Sequence, residues 1–367
     1  MIVDPFWQNW HGLKLLIKGI LDCHVSGKGL LWSRGWHKFS DWAGNSNLVY
    51  PAYPTRYRTL SLERLKQKQG IIWLRMGSDP EKPEIATGAV GDINLFAREI
   101  IGSLKGPVIL VTTDGDLGVP SGLPKETMSR ILEDPSVVAW YTQNLDRPGF
   151  HKKLKPIPIG LDLHTRIGRW VSPQKKSKIF LTAMQNCQQR EKRLFRVWCD
   201  VHLESDLGAM VEEFPGEHGK PGASLFETRI ELRAAIESGA LDSVIDRPEH
   251  RLPVEEIWKT YGRYFFVMSL PGHGLDCHRT WEALALGATV ITVHSPLDSL
   301  LEKYRVVFLD RSGNDHPWWE PMLSKEWMAA AGESVESRAN LDLSWSSWVK
   351  PIRTMLRPSR ERSQLEE

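Results

Sequence analysis

Cysteine is scarce in this chain. There are four in 367 residues, Cys23, Cys187, Cys199 and Cys277, and no two form a C-x-x-C pair. That argues against a disulfide scaffold or a zinc ribbon and fits free thiols in a reducing compartment. A charge excess is missing as well: 47 Lys and Arg stand against 45 Asp and Glu, leaving a net +2. Such a balance gives no electrostatic footprint for nucleic acid as the main partner, and the short basic runs at His151–Lys155 and Lys175–Lys178 read as solvated loops. The apolar stretch from Leu13 to Leu21 is broken by Lys14 and Lys18. It is too short to cross a bilayer and does not resemble a signal peptide. The expectation is a cytoplasmic protein without a transmembrane segment, with peripheral attachment to a membrane left open. Internal repeats and low-complexity blocks are absent too.

What remains is an ordinary globular composition, 41% hydrophobic and 25% charged, in a chain long enough for two domains. Sixteen tryptophans are many, and Trp7, Trp10, Trp32, Trp36 and Trp42 crowd the first fifty residues. Packing accounts for most tryptophans and sugar stacking for a minority.

The most informative segment is PGHGLDCHRTWEALALG, Pro271 to Gly287. It lies between two strand-like runs, Tyr264–Met268 and Thr289–Val293, so a βαβ unit is expected. Gly272 and Gly274 would let a ligand's phosphates approach the main chain, and the free N–H groups of the following helix would favour an anion. Asp276 is the expected N-cap and Gly287 the expected left-handed C-terminal residue. Cys277, Trp281, Leu284 and Ala285 follow the spacing of a buried stripe, which puts His278 and Glu282 on another face. Glu282 would then be within reach of a ribose. The glycine spacing does not match the full G-x-G-x-x-G fingerprint, and no acidic residue ends the Thr289–Val293 strand, which argues against a nicotinamide enzyme.

Along the rest of the chain, strands are expected at Ile71–Leu74, Val108–Val111 and Val137–Tyr141, with helices at Leu95–Leu104 and Glu126–Leu132. Lys155–Gly160, with two prolines and a glycine, suits an edge strand. A new α/β series is expected to open with a strand at Lys178–Thr182. Helices near Gln189–Leu203 and Leu225–Glu237, a strand at Leu241–Ile245, a helix at Pro253–Tyr261 and a strand at Val306–Leu309 complete it. The expected fold class is therefore α/β, with two Rossmann-like domains. Residues 1–170 form the N-terminal domain, 171–320 the C-terminal one, and 321–367 a helical segment with a charged tail.

The stretch from Ser269 to Asp310 resembles the C-terminal half of exostosin-like glycosyltransferases, whose R-x-x-E-A-L-x-x-G motif is matched by Arg279, Glu282, Ala283, Leu284 and Gly287. TTDGDLGVP (Thr112–Pro120), WYTQNLDRP (Trp140–Pro148) and PIPIGLDLHT (Pro156–Thr165) resemble the same group. The resemblance implies a GT-B-like fold with two domains facing across a cleft. The C-terminal domain would take a nucleotide-diphosphate-sugar donor and the N-terminal domain a glycan or lipid-linked acceptor, with transfer inverting and no metal or other cofactor required. Glu282 would hold the ribose, and Gly272, His273, Gly274, His278 and Arg279 would surround the diphosphate. Arg190 and Arg193 are further diphosphate candidates, expected to follow the first strand of the second series.

An inverting transfer needs a base for the acceptor hydroxyl. Asp114 and Asp116 directly follow an apolar strand, and Asp162 and His164 lie at the expected domain junction, so these four are the catalytic candidates. Against each stands the alternative that Asp and His in loops cap helices and shape turns. Two other classes are carried forward. A catalytically silent GT-B-like protein could bind a glycan or nucleotide. A metal-dependent hydrolase could use His273, Asp276 and His278, although no H-E-x-x-H supports it.

Overall fold

The computed structural model describes residues 29–44, 65–76, 89–163, 172–203, 227–272, 274–311 and 316–356. The chain divides into two compact units, one running to His164 and resuming at Leu343, the other taking Lys175–Asp342.

The first unit is built on a five-stranded parallel sheet in the order β1 (Trp42–Gly44), β2 (Gly70–Arg75), β3 (Val108–Thr113), β4 (Val137–Thr142), β5 (Leu154–Pro156). Every side chain of β3 is buried, which is why Val108–Val111 reads as a continuous apolar run and not as an alternation. The short helix α1 (Trp36–Phe39) precedes β1, and α2 (Ala89–Glu99) and α3 (Lys125–Glu133) connect the later strands. β5 is an edge strand, where Pro156 leaves no ladder donor missing.

The second unit carries a second five-stranded parallel sheet, in the order β10 (Val306–Leu309), β9 (Thr289–Val293), β8 (Tyr264–Met268), β6 (Leu194–Trp198), β7 (Ile245–Asp246). Its helices are α4 (Pro173–Gln185), α5 (Glu227–Glu237), α6 (Val254–Tyr261), α7 (His278–Ala285), α8 (Asp298–Leu301) and α9 (Lys325–Ser334). One face of the sheet packs Ile291, Val293, Val307 and Leu309 against α5 and α9 through Leu232, Met328 and Val335. Both units are α/β with a parallel sheet, so the class is the tandem of α/β units expected from the sequence.

Two expected elements are corrected. Lys178–Thr182 is not a strand but the middle of α4. Its buried positions are Pro173, Lys176, Ser177, Phe180 and Ala183, a helical spacing starting from a proline at the first helical position. Phe180 meets Trp258 edge-on at 5.0 Å. Conversely, the helix expected at Gln189–Leu203 is strand β6. Its polar approach suggested a helix, but pairing with β7 and β8 on either side determines its conformation. The strand expected at Leu241–Ile245 shortens to β7, which follows a turn.

The C-terminal segment belongs to both units. Residues up to Asp342 lie with the second, whereas α10 (Trp345–Thr354) lies with the first. Trp345 stacks on Phe39 at 4.3 Å and meets Trp36 edge-on at 5.2 Å. Arg353 donates to Asp41 at 2.9 Å and to the Phe39 carbonyl at 2.7 Å. These contacts cover Trp36, which is buried, as is Trp32; Trp7 and Trp10 lie outside the described residues.

Candidate functional site

In an open parallel sheet, ligands collect beyond the carboxyl ends of the strands. At that edge of the second unit, β8 runs into Ser269–Cys277 and then α7. Gly287, at φ +78°, ends α7 by donating to the Leu284 carbonyl while Ala288 donates to Ala283, the paired bonds of a Schellman stop. The N-terminus differs from expectation. Cys277 occupies the N-cap position, and its own side chain makes no capping bond. Asp276 instead accepts from Trp281 Nε1 at 2.6 Å, inside the protein. Within the first turn, the Thr280 N–H donates to the Cys277 carbonyl at 3.1 Å.

The helix is buried on more sides than its spacing implied. Thr280, Trp281, Glu282, Ala283 and Leu284 are buried, while Cys277 and Ala285 are only half-buried. Glu282, expected on a separate face beside His278, is 5% exposed.

Arg229 on α5, which no sequence motif marks, organises the loop. It donates from Nε to the Pro271 carbonyl at 2.6 Å, from Nη2 to Leu270 at 3.1 Å and from Nη1 to His202 at 2.8 Å. Burial pulls its pKa down. A carboxylate would hold it up, but among the described residues Arg229 is bonded only to carbonyls, so its charge is left uncompensated behind the loop. Gly272 fits here because a Cβ would stand 3.0 Å from Arg229 Nη2.

Arg279, by contrast, has a carboxylate partner. Its Nε donates to Asp200 Oδ1 at 2.6 Å and its Nη2 to the Asp200 carbonyl at 3.1 Å. Tyr261 donates to the other Asp200 oxygen at 2.8 Å. Burial opposes the Arg279 charge, but the Asp200 carboxylate more than offsets this and holds it firmly protonated. Burial, with Asp200 beside it, pushes the Tyr261 phenol well above its ordinary range. Asp200 follows β6, so the triad ties the β6 edge to the first turn of α7.

Arg190 and Arg193 sit elsewhere. Because the strand is β6, they precede it instead of following a strand. Arg190 donates to Thr289 at 3.0 Å, pairs with Glu336 at 2.5 Å and covers the Phe265 ring at 3.8 Å. Arg193 donates to the Leu286 carbonyl at 2.8 Å. Thr289 and Leu286 lie at the amino end of β9, so both arginines are held at the sheet edge opposite the loop. His273 lies outside the described residues, and His278 is half-buried at the start of α7.

In the first unit, the carboxyl edge gathers the loops after β3 and β4 with the segment around Ser33. Asp114 is buried at φ +67°. Its carboxylate accepts from Arg34 Nε at 2.9 Å and Ser33 Oγ at 3.3 Å, and its N–H donates to Gln143 at 3.0 Å. This expected base is thus an ion-pair partner. Gln143 and Asn144 both donate to the Gly115 carbonyl, at 2.7 and 2.9 Å, joining the two loops. Asp116 remains partly exposed on its loop. Asp162, also partly exposed, follows Gly160 and Leu161, which pair with Leu31 and Trp32. The structure therefore brings Asp114 and Asp162 against the same N-terminal segment; His164 lies outside the described residues. Another carboxylate, which the sequence pattern did not mark, is Asp146. It is buried, with Oδ1 accepting from the Ser121 N–H at 3.3 Å and Oδ2 without a partner among the described residues.

Among solved structures, the likenesses are to glycosyltransferases. An α,α-trehalose-phosphate synthase (UDP-forming) from Burkholderia vietnamiensis is 11% identical, with 82% of this chain and 74% of that one covered and a TM-score of 0.34. A sucrose-phosphate synthase from Thermosynechococcus elongatus is 10% identical, covering 84% and 71%, at 0.34. An E. coli trehalose-6-phosphate protein bound with UDP-2-fluoro glucose is 13% identical, covering 82% and 72%, at 0.33. No protein-family model and no curated protein matches the sequence.

Among the described residues no three His, Cys, Asp or Glu side chains form a metal-holding group, and no helix is long and apolar enough to cross a membrane. A cavity of about 990 Å³ lies between α5 and residues 316–324, lined by Trp318, Trp319, His316, Glu231 and Arg311 among others. None of the Ser269–Glu282 residues lines it.

Proposed function

We propose that this protein is a glycosyltransferase of GT-B type that binds a nucleotide-diphosphate-sugar on the second unit and transfers the sugar to a hydroxyl acceptor. The observation that carries the reading is Arg229, a buried cation bonded only to carbonyls among the described residues, behind the loop that leads from a parallel strand to the amino end of α7. A helix N-terminus and a buried cation without a counter-charge act in the same direction on a diphosphate. They neutralise a departing diphosphate without a metal. Glu282 takes the ribose hydroxyls. Arg279, engaged by Asp200, orients the first turn of α7 and leaves the anion to the main chain.

The exostosin-like subtype, inverting stereochemistry and a glycan or lipid-linked acceptor are part of the same proposal, supported by the R-x-x-E-A-L-x-x-G match. Asp116 and Asp162 are the proposed bases of the first unit, since Asp114 is occupied by Arg34. The protein is proposed to be cytoplasmic.

The test is calorimetric titration with UDP, GDP, ADP and CDP and with their sugars, with and without EDTA, on wild type, Glu282→Ala and Arg229→Ala. One nucleotide should bind in EDTA, and each variant should weaken it by about tenfold or more. Binding without sugar transfer to any acceptor would favour a silent nucleotide binder. Binding that needs a divalent cation, or no binding at all, would overturn the donor site.

A further inference from the structure

β9 is the direct neighbour of β8 in the second sheet, with Val267 opposite Val290 and Met268 opposite Ile291. It is joined to β8 through α7, so the carboxyl end of β9 adjoins the loop that carries the proposed donor site. The first residue past β9 is His294, which lies in the Ser269–Asp310 stretch but outside its R-x-x-E-A-L-x-x-G motif.

Its side-chain direction follows from strand alternation. Ile291 and Val293 point into the core shared with α5 and α9, so Thr292 and His294 point to the other face. α7 occupies that face: Trp281 meets Tyr304 edge-on at 5.9 Å there and is absent from the α5 core. Because α7 runs back against the strands, its amino end and His294 share one face and one edge of the sheet.

The imidazole is fixed there. It stacks on Phe308 of β10 at 5.2 Å and 14°. Its Nδ1 lies 2.6 Å from Asp298 Oδ2, while Asp298 Oδ1 accepts from the Ser295 N–H at 2.8 Å. Asp298 is thereby held in place and can only accept from Nδ1. The neutral imidazole must then carry its proton on Nδ1 and present a lone pair at Nε2. The His294 side chain is 57% exposed, so that lone pair has access to solvent. A surface histidine that only caps a turn does not need an aromatic platform, a carboxylate on its inner nitrogen and an open outer nitrogen together. Those three features suit a ligand contact whose direction matters.

We propose that His294 Nε2 accepts a hydrogen bond from a hydroxyl of the nucleotide-sugar seated beside α7, with Asp298 as its positioning residue. The inference rests on the donor reading above. It adds a third contact to the main-chain N–H groups and Glu282, one that reads a hydroxyl where the others read phosphate and ribose.

The experiment uses the full chain with UDP, GDP, UDP-glucose and GDP-mannose as probes. Affinities of wild type, His294→Phe, His294→Gln and Asp298→Asn are measured by calorimetry. In parallel, the His294 ring nitrogens are followed by NMR with and without the tightest probe. The expected result is a ring-nitrogen pattern of the Nδ1–H tautomer that shifts on ligand addition. His294→Phe, which keeps the stack on Phe308, should lose about five- to tenfold in affinity, and Asp298→Asn should lose affinity while circular dichroism stays unchanged. A probe that binds wild type and is weakened by Arg229→Ala, with unmoved ring signals and full affinity in His294→Phe, would overturn this proposal and leave the donor site standing. Wild type binding none of the probes would overturn both.

Discussion

Arg34 and Asp114 form an ion pair at 2.9 Å in which the two side chains retain 15% and 4% of their exposure. Asp114 is also held at φ +67°, and the pair joins the loop after β3 to the segment that the C-terminal helix α10 packs upon. Removing one member leaves the other charge buried without this ion pair, which typically costs about 3–5 kcal/mol. Arg34→Ala and Asp114→Ala should each lower the denaturant midpoint by that order. The double variant should cost less than the sum of the two. A purely additive pair of losses in urea unfolding would show that the two side chains do not act as a unit.

Asp146 provides a pH signature. Burial raises its pKa above the ordinary carboxyl value, more than the Ser121 N–H lowers it. In an unfolded chain the same group titrates near about 3.9, so over the interval above that value the native state holds more proton than the unfolded state. Stability from this group is present below the unfolded pKa and is lost as pH rises through the folded one. Asp146→Asn should therefore stabilise the protein at neutral pH relative to wild type and reduce the fall in Tm between about pH 4 and pH 7. If the variant shows the same Tm-against-pH slope as wild type, the buried oxygen is not carrying the proton.

The Asp200 triad separates positioning from charge. Tyr261→Phe removes one hydrogen bond to a carboxylate and should cost about 1.5–3 kcal/mol. Arg279→Ala, which leaves Asp200 without its cation, should cost about 3–5 kcal/mol. Both should disturb α7, so hydrogen exchange of the Trp281 and Glu282 amides should accelerate in Arg279→Ala. Protection equal to wild type there would mean that the first turn of α7 is held by something other than this pair.

Gly160 tests the seam of the first unit. At φ +70° and close against Leu31, it has no room for a side chain: a Cβ would stand 2.4 Å from the Leu31 carbonyl oxygen. Gly160→Ala combines the left-handed penalty of about 1–2 kcal/mol with a backbone collision. It should lower Tm and raise proteolytic sensitivity around Leu31–Trp32. Gly149, also at positive φ but with nothing within 4 Å, is the control, and Gly149→Ala should show only the conformational part. Equal losses in the two variants would show that the approach to Leu31 is not tight.

Much of the fold was legible because parallel strands buried on both faces leave continuous apolar runs, as at Val108–Val111 and Thr289–Val293, and because Gly287 marks a helix stop that only a residue at ease with positive φ makes well. Those are local constraints, and the sequence by itself determined them. It also determined that Gly272 and Gly274 precede a helix with no acidic residue in its first turn. The order β10-β9-β8-β6-β7 was not local, and neither was the conformation of Leu194–Trp198, a polar-flanked stretch made a strand by partners about 50 to 70 residues away. That same order placed Arg190 and Arg193 at the amino edge of the sheet and Arg229 behind the loop. No spacing rule announces an arginine whose acceptors are backbone carbonyls from two other segments. The carboxylates show the division most sharply: Asp114, Asp116, Asp146 and Asp162 are equivalent as letters. Only tertiary structure gave Asp114 a cation, left Asp116 and Asp162 partly in water and closed Asp146 away from it, because solvation and charge partners are properties of the folded surroundings.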